Sequence, residues 1–362
     1  MRFQRARPVS DIIVYQPGKP VEELERELGV ADSIKVASNE NPLGPSPKAV
    51  EAVNSAIKEL HRYPDGGGFY LKNALAGHHG LEPGNFVLGN GTNEVLEVLA
   101  HAYLDPGDPV VFSEGAFIVY HIVSQLCSCE IRRAPMRDYH QDLDAMADLV
   151  CEKTKIVFLA NPNNPTGTAV GEGKLREILG KIPETTLVVM DEAYCHYAHL
   201  EDYPDAARML GEFPNLVAMR TFSKAYGLAG LRVGYGVADE EVAQAMESVR
   251  EPFNVNSLAL VAAQAALGDT GHVERSVAVN AEGREYFVYE LSAMGLPFVP
   301  TQGNFMMVEV GEAMEVYEAL LREGVIVRPV AGYGFPRHLR ISIGTPQENE
   351  EVIKAIYKVM NM

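Results

Sequence analysis

Between residues 86 and 238 the chain alternates short apolar runs with stretches of helical character. The runs are Phe86-Val-Leu-Gly, Pro109-Val-Val-Phe, Lys155-Ile-Val-Phe-Leu-Ala, Thr186-Leu-Val-Val-Met, Asn215-Leu-Val-Ala-Met-Arg and Arg232-Val-Gly-Tyr-Gly-Val. Each is apolar on consecutive residues, so both faces of the strand must be covered. Helical stretches over Asn93–Leu104, Phe117–Leu126 and Gly173–Leu179 separate the strands. Strand, helix, strand repeated in this way predicts an α/β domain around a mostly parallel sheet buried on both faces.

Around that core the sequence divides further. Residues 1–45 read as an extended N-terminal arm that contributes to the small domain, with a short helix over 21–29 that stops at Gly29, and residues 46–255 as the large domain. Residues 256–362 read as a smaller α+β domain with strands near Asn304 and Leu339. The Ala-rich helix Ser257–Leu267 is expected to bridge the two, and a helix is expected from Pro47 to Leu60. A length of 362 residues suits two domains.

Charge narrows the function. A formal net charge of −18 argues against nucleic acid and against docking on anionic lipid. No apolar run approaches membrane-spanning length, and the N-terminal residues have no apolar core typical of a signal peptide. The four cysteines, Cys127, Cys129, Cys151 and Cys195, form no zinc-type pair, and the ten histidines show no metal spacing. A metal-free cytoplasmic protein with reduced thiols is expected.

Chemistry concentrates in Thr221-Phe-Ser-Lys-Ala-Tyr-Gly-Leu-Ala-Gly-Leu-Arg-Val-Gly-Tyr235. Lys224 lies between a predicted strand and a glycine-rich turn, and Arg232 follows eight residues later. A lysine forms a Schiff base only from its neutral amine, which desolvation and nearby cations favour. An arginine fork can also hold a phosphate. Lysine, aldehyde and phosphate together suggest pyridoxal 5'-phosphate.

Three more segments place polar residues at strand ends, where open α/β sheets collect ligands. Gly89-Asn-Gly-Thr-Asn-Glu94 opens a helix and offers free N–H groups to a phosphate. Leu159-Ala-Asn-Pro-Asn-Asn-Pro-Thr-Gly167 is an unusual long loop. Val188-Val-Met-Asp-Glu-Ala-Tyr194 sets Asp191 at the end of a buried strand, where a carboxylate needs a partner.

These segments, in this order, resemble the fold-type I pyridoxal-phosphate aminotransferases across essentially the whole chain. The resemblance implies that Lys224 carries the cofactor and is the catalytic base. It implies that Gly91, Thr92, Asn93, Ser223 and Arg232 hold the phosphate, and that Phe117 stacks on the ring. Asn161 and Tyr194 are assigned to the ring's phenolic oxygen, and Asp191 to its nitrogen. Glu192 reads as structural. Tyr15-Gln-Pro-Gly-Lys-Pro20, Ser38-Asn-Glu-Asn-Pro-Leu-Gly44 and His61-Arg-Tyr-Pro-Asp65 are similar to segments of the histidinol-phosphate aminotransferase family. That finer resemblance implies a homodimer in which Tyr63 reaches the neighbouring cofactor's phosphate. Tyr15, Asn41, Asn304, Arg328 and Arg340 are then expected to face the substrates, histidinol phosphate and glutamate or 2-oxoglutarate. Arg337 reads as a solvated loop charge. An aromatic-amino-acid aminotransferase and a phosphothreonine decarboxylase remain as alternatives on the same scaffold.

Overall fold

The computed structural model describes residues 6–9, 12, 18–30 and 32–360. Seven strands make the large sheet: β1 (Phe86–Gly89), β2 (Pro109–Ser113), β3 (Glu130–Ala134), β4 (Ile156–Ala160), β5 (Leu187–Asp191), β6 (Leu216–Thr221) and β7 (Gly234–Ala238). Their order is β1-β7-β6-β5-β4-β2-β3, parallel except for β7, which runs antiparallel to both neighbours. Every residue of β2, β4 and β5 is buried. One face packs Val157, Leu159, Val188 and Met190 against helices, and the other packs Ile156, Phe158 and Val189. That two-sided cover is why these runs carry no polar alternation.

The smaller sheet is antiparallel, with strands β8 (Phe298–Val299), β9 (Phe305–Glu309), β10 (Arg328–Pro329) and β11 (His338–Ser342) in the order β8-β9-β11-β10. Helix Pro346–Met360 covers it through Val352, Ile353 and Ile356, together with Phe287 and Leu291 of helix Thr270–Ala293. Residues Ile34–Lys35 pair in parallel with Val325–Ile326, so the chain near residue 34 joins this smaller unit.

Two helices depart from expectation. Pro47 starts a helix capped by Ser46, whose Oγ accepts from the Ala49 N–H, but the α-helix ends at Ala56 and only a 3-10 turn continues to Glu59. The helix Ser257–Leu267 does not bridge the two units. Its Ala259, Ala262, Ala263 and Ala266 lie in the large core, packed on the helices Pro47–Ala56 and Phe69–His79. Small side chains let these helices approach closely, so an alanine-rich stripe marks a packing seam here. The crossing is made by the 24-residue helix Thr270–Ala293. Its Ser276 bonds Asn41, its Asn280 bonds the Gly303 carbonyl, and its far end enters the small core.

One buried ion network ties the strand carrying Asp191 to the strand leading to Lys224. Glu192 is fully buried and accepts from Arg220 Nε at 2.9 Å and from the Ala206 N–H at 3.1 Å. Arg220 Nη2 also donates to Asp205 at 2.7 Å. Burial pushes the Glu192 carboxyl up, and Arg220 opposes that. Breaking such a pair from one side strands the remaining charge in the interior. Glu192→Ala is therefore expected to lower unfolding stability by about 3–5 kcal/mol. Denaturant unfolding checks this, and a loss below about 1 kcal/mol would match only an exposed pair.

Candidate active site

The sheet's register assembles the site before any side chain is considered. Ala160 and Asp191 are partners across β4 and β5, so Asn161 and Glu192 leave the sheet together. Gly234 of β7 faces Gly89 on one side and Thr221 on the other. Residues just outside those three positions must meet, and they are Thr92, Ser223 and Arg232. Arg232 adopts the left-handed region at φ 56°. Its Nη1 donates to Ser223 Oγ and to the Ala229 carbonyl, each at 3.2 Å. Gly91, at φ 79°, leaves the guanidinium its room: a Cβ there would stand 2.3 Å from Arg232 Nη2. The helix Thr92–Tyr103 begins at this point, with its unpaired N–H groups beside Arg232 and Ser223.

A cavity of about 210 Å³ opens over this corner. Thr92, Asn93, Ser223 and Arg232 line it. So do Phe117, Asp191, Tyr194 and Lys224, and Arg328 and Arg340 from the small sheet. Arg328 and Arg340 are partners across the β10–β11 ladder, so two cations of the small sheet converge on one space. Arg340 is buried. Its Nη1 donates to Asn164 Oδ1 at 2.6 Å and its Nη2 to the Ala37 carbonyl at 2.7 Å. Its guanidinium lies 5.4 Å from the centre of the Phe305 ring.

Lys224 Nζ donates to the Ser38 carbonyl at 3.1 Å and lies 5.5 Å from the centre of the Tyr194 ring. Burial lowers its pKa to about 7, and Arg340 and Arg232 add to the effect, while Glu40 and Asp191 oppose it. Asp191 Oδ2 accepts from the Tyr120 hydroxyl at 2.9 Å and Oδ1 from the Ala193 N–H at 3.2 Å. Burial pushes the Asp191 carboxyl up, and those two donors and Lys224 pull it back. The Tyr194 hydroxyl accepts from Asn39 Nδ2 at 3.0 Å, so its own proton remains to be donated.

Several expected residues sit elsewhere. Asn161 does not line the cavity: its Nδ2 donates to the Val170 carbonyl at 3.1 Å and its Oδ1 accepts from the Val170 N–H at 2.9 Å. Both ends of this buried amide are held by one backbone unit, Val170, which turns the side chain away from the cavity. Asn164, three residues on in the same loop, lines the cavity instead. Asn41 holds the chain beyond Lys224 by donating to the Ala225 carbonyl and Ser276 Oγ. Asn304 donates to the Asn39 carbonyl at 3.0 Å. Both brace the loop that presents Asn39, and Asn39 is the residue at the cavity wall. Tyr63 is 83% exposed and stacks on Phe253 at 4.9 Å, away from the cavity of its own chain. Tyr15 lies outside the described residues. Arg337 is exposed and pairs with Glu309 at 2.8 Å, as a loop charge should.

Asn39, Asn164, Tyr333 and Tyr120 escaped the sequence reading. A usable signal existed for Asn164 alone, since the proline-bracketed loop contains three asparagines and only the backbone says which points inward. Among the described residues, no group of three His, Cys, Asp or Glu side chains is placed to hold a metal ion. Among them too, no helix is long and apolar enough to cross a membrane.

The model of the aminotransferase class I and II family matches residues 31–356. The chain belongs to the class I and II aminotransferases. It is 51% identical to histidinol-phosphate aminotransferase 2 of Pseudomonas fluorescens strain Pf-5, over 97% of this chain and 96% of that protein. It is 47% identical to histidinol-phosphate aminotransferase of Moorella thermoacetica, over 96% of this chain and 90% of that one. Among solved structures, histidinol-phosphate aminotransferase of Sinorhizobium meliloti in complex with pyridoxal-5'-phosphate superposes with a TM-score of 0.88. The two share 29% identity, over 99% of this chain and 98% of that one. Aspartate aminotransferase of Thermotoga maritima shares the fold, with a TM-score of 0.85 at 23% identity over 99% and 100% of the two chains.

The position of Lys224 in this aminotransferase has a direct pH consequence. A neutral amine is the reactive form, so its fraction rises about tenfold per pH unit below the pKa and then levels. Competitive acetylation of the cofactor-free protein, read by mass spectrometry at Lys224, should climb through pH 7 and flatten above it. A climb continuing toward pH 10, as for an ordinary lysine, would contradict the burial argument.

Proposed function

We propose that this chain is a pyridoxal-phosphate-dependent aminotransferase that exchanges an amino group between histidinol phosphate and 2-oxoglutarate, working toward histidinol phosphate in histidine biosynthesis. The observation that carries the reading is one cavity lined by a partly desolvated lysine, a phosphate-type corner and a pair of arginines. The residues fit the cofactor on three independent points. The Gly91–Arg232–Ser223 corner sets a guanidinium and a hydroxyl at the start of a helix, and a Cβ at Gly91 would collide with that guanidinium. Asp191 is a buried carboxylate that lines the cavity. Lys224 has its amine available near neutral pH. When bound, the cofactor supplies an aldehyde for the amino group and an electron sink for the carbon that carries it.

The chain's own residues then divide the work. Lys224 Nζ would hold the aldehyde and, once released, takes the proton from the substrate carbon bearing nitrogen. Asp191 would pair with the ring nitrogen. Tyr194, through its hydroxyl proton, and Asn164, through its amide N–H, would donate to the ring oxygen. Asn164 replaces Asn161 in that role because its side chain is the one at the cavity. Phe117 closes a face of the cavity beside Asp191. Arg328 and Arg340 receive the anionic end of either substrate: a phosphate monoester from one, a carboxylate from the other. A planar fork accepts both. We further infer a cytoplasmic homodimer. Leu60, Tyr63, Phe69, Tyr70 and Phe253 are large apolar side chains left exposed on one chain, which supports an interface there.

The test is a half-reaction. Yellow holoenzyme mixed with histidinol phosphate, without keto acid, should bleach rapidly, with phenylalanine and phosphothreonine far slower. Faster bleaching by phenylalanine would make it an aromatic aminotransferase. Carbon dioxide released from phosphothreonine would make it a decarboxylase.

A further inference from the structure

Tyr120 plays no part in the scheme above, yet it is the closest side-chain partner Asp191 has. It is fully buried in the helix Ile118–Leu126, three residues beyond Phe117. Its ring is fixed on two sides, stacked on Phe158 at 5.0 Å and 9° and edge-on to Phe117 at 5.8 Å and 85°. Its hydroxyl donates to Asp191 Oδ2 at 2.9 Å. That phenol cannot ionise under ordinary conditions, because burial first and then the Asp191 charge raise its pKa. It is therefore a permanent donor. The remaining ionisable groups that feel Asp191 are Lys224, Tyr194 and Tyr203. Of these only Lys224 changes charge near neutral pH.

A carboxylate facing a pyridine nitrogen shares one proton with it. Which partner keeps the proton depends on their relative basicity, and every hydrogen bond donated to the carboxylate lowers its basicity. Burial alone works the other way at Asp191. We propose that Tyr120 is a positioning residue that, by donating to Asp191, keeps this shared proton on the cofactor ring and so keeps the ring an electron sink. The inference rests on the cofactor reading given under the proposed function.

The experiment compares the holoenzyme with Tyr120→Phe, reconstituted with pyridoxal phosphate carrying nitrogen-15 in its ring. Phenylalanine retains the ring packed on Phe158 and removes only the hydroxyl. The expected result is a ring-nitrogen resonance displaced from the pyridinium position toward neutral pyridine in Tyr120→Phe. The histidinol phosphate half-reaction should slow roughly tenfold to a hundredfold, the range for one hydrogen bond to a charged group. In an Asp191→Asn background, Tyr120→Phe should add no further displacement. Should Tyr120→Phe fold poorly, fluorotyrosine at position 120, a stronger donor, should move the resonance the opposite way. An unchanged ring resonance in both variants overturns the proposal. Failure of histidinol phosphate to react while the resonance shifts as expected would overturn the donor assignment and leave Tyr120's role standing.

Discussion

Lys224 occupies a place where its own charge is disfavoured, and the rest of the structure is arranged around that fact. A buried ammonium surrounded by arginines loses its proton more readily than a solvated one, and here burial, Arg340 and Arg232 act together. The opposing carboxylates, Asp191 and Glu40, are too weak in effect to restore it. Holding three cations and a buried aspartate around one small cavity requires a rigid frame. The large sheet supplies it, because its central strands are close-packed on both faces, so any shift must repack two apolar layers at once. The Glu192–Arg220–Asp205 network then locks the strand end carrying Asp191 to the strand that leads to Lys224.

The small sheet is needed for the same reason. The large sheet provides the lysine and the phosphate-type corner, but Arg328 and Arg340 both come from the small one. The two units meet through polar contacts at the cavity wall. Asn39 is the knot: its N–H donates to Ser342 Oγ on the small sheet, while its Nδ2 donates to Tyr194 at the end of the large one. Asn304 holds its carbonyl, and Ser342 Oγ returns a bond to its Oδ1. All the polar groups of one buried asparagine are thus satisfied, at a backbone φ of 55° that asparagine tolerates better than most residues. This network fixes which way the Tyr194 hydroxyl points.

Much of this frame was legible in the sequence. Continuous, β-branched-rich apolar runs such as Ile156–Ala160, set between helical stretches, point to doubly covered strands, and Lys224, Asp191, Thr92 and Arg232 lie where such strands end. What stayed hidden depended on choices that spacing does not make. Three asparagines lie in the loop after β4, and only the pairing of Asn161 with Val170 turns attention to Asn164. Asn39 and Asn41 are two residues apart, and Asn39 lines the cavity while Asn41 is held by the Ala225 carbonyl and Ser276. The Ala-rich helix carries no signal that separates a bridge from a packing seam, because small residues serve tight packing as readily as they serve a linker. Tyr120 gave no signal at all, since a helical tyrosine near Phe117 reads as ordinary core.

The most direct test of this account locates the cofactor's attachment. Holoenzyme reduced with borohydride and digested should yield one modified peptide, carrying one pyridoxyl group on Lys224. Attachment at another lysine, or full cofactor retention with Lys224 unmodified, would contradict the account at its centre.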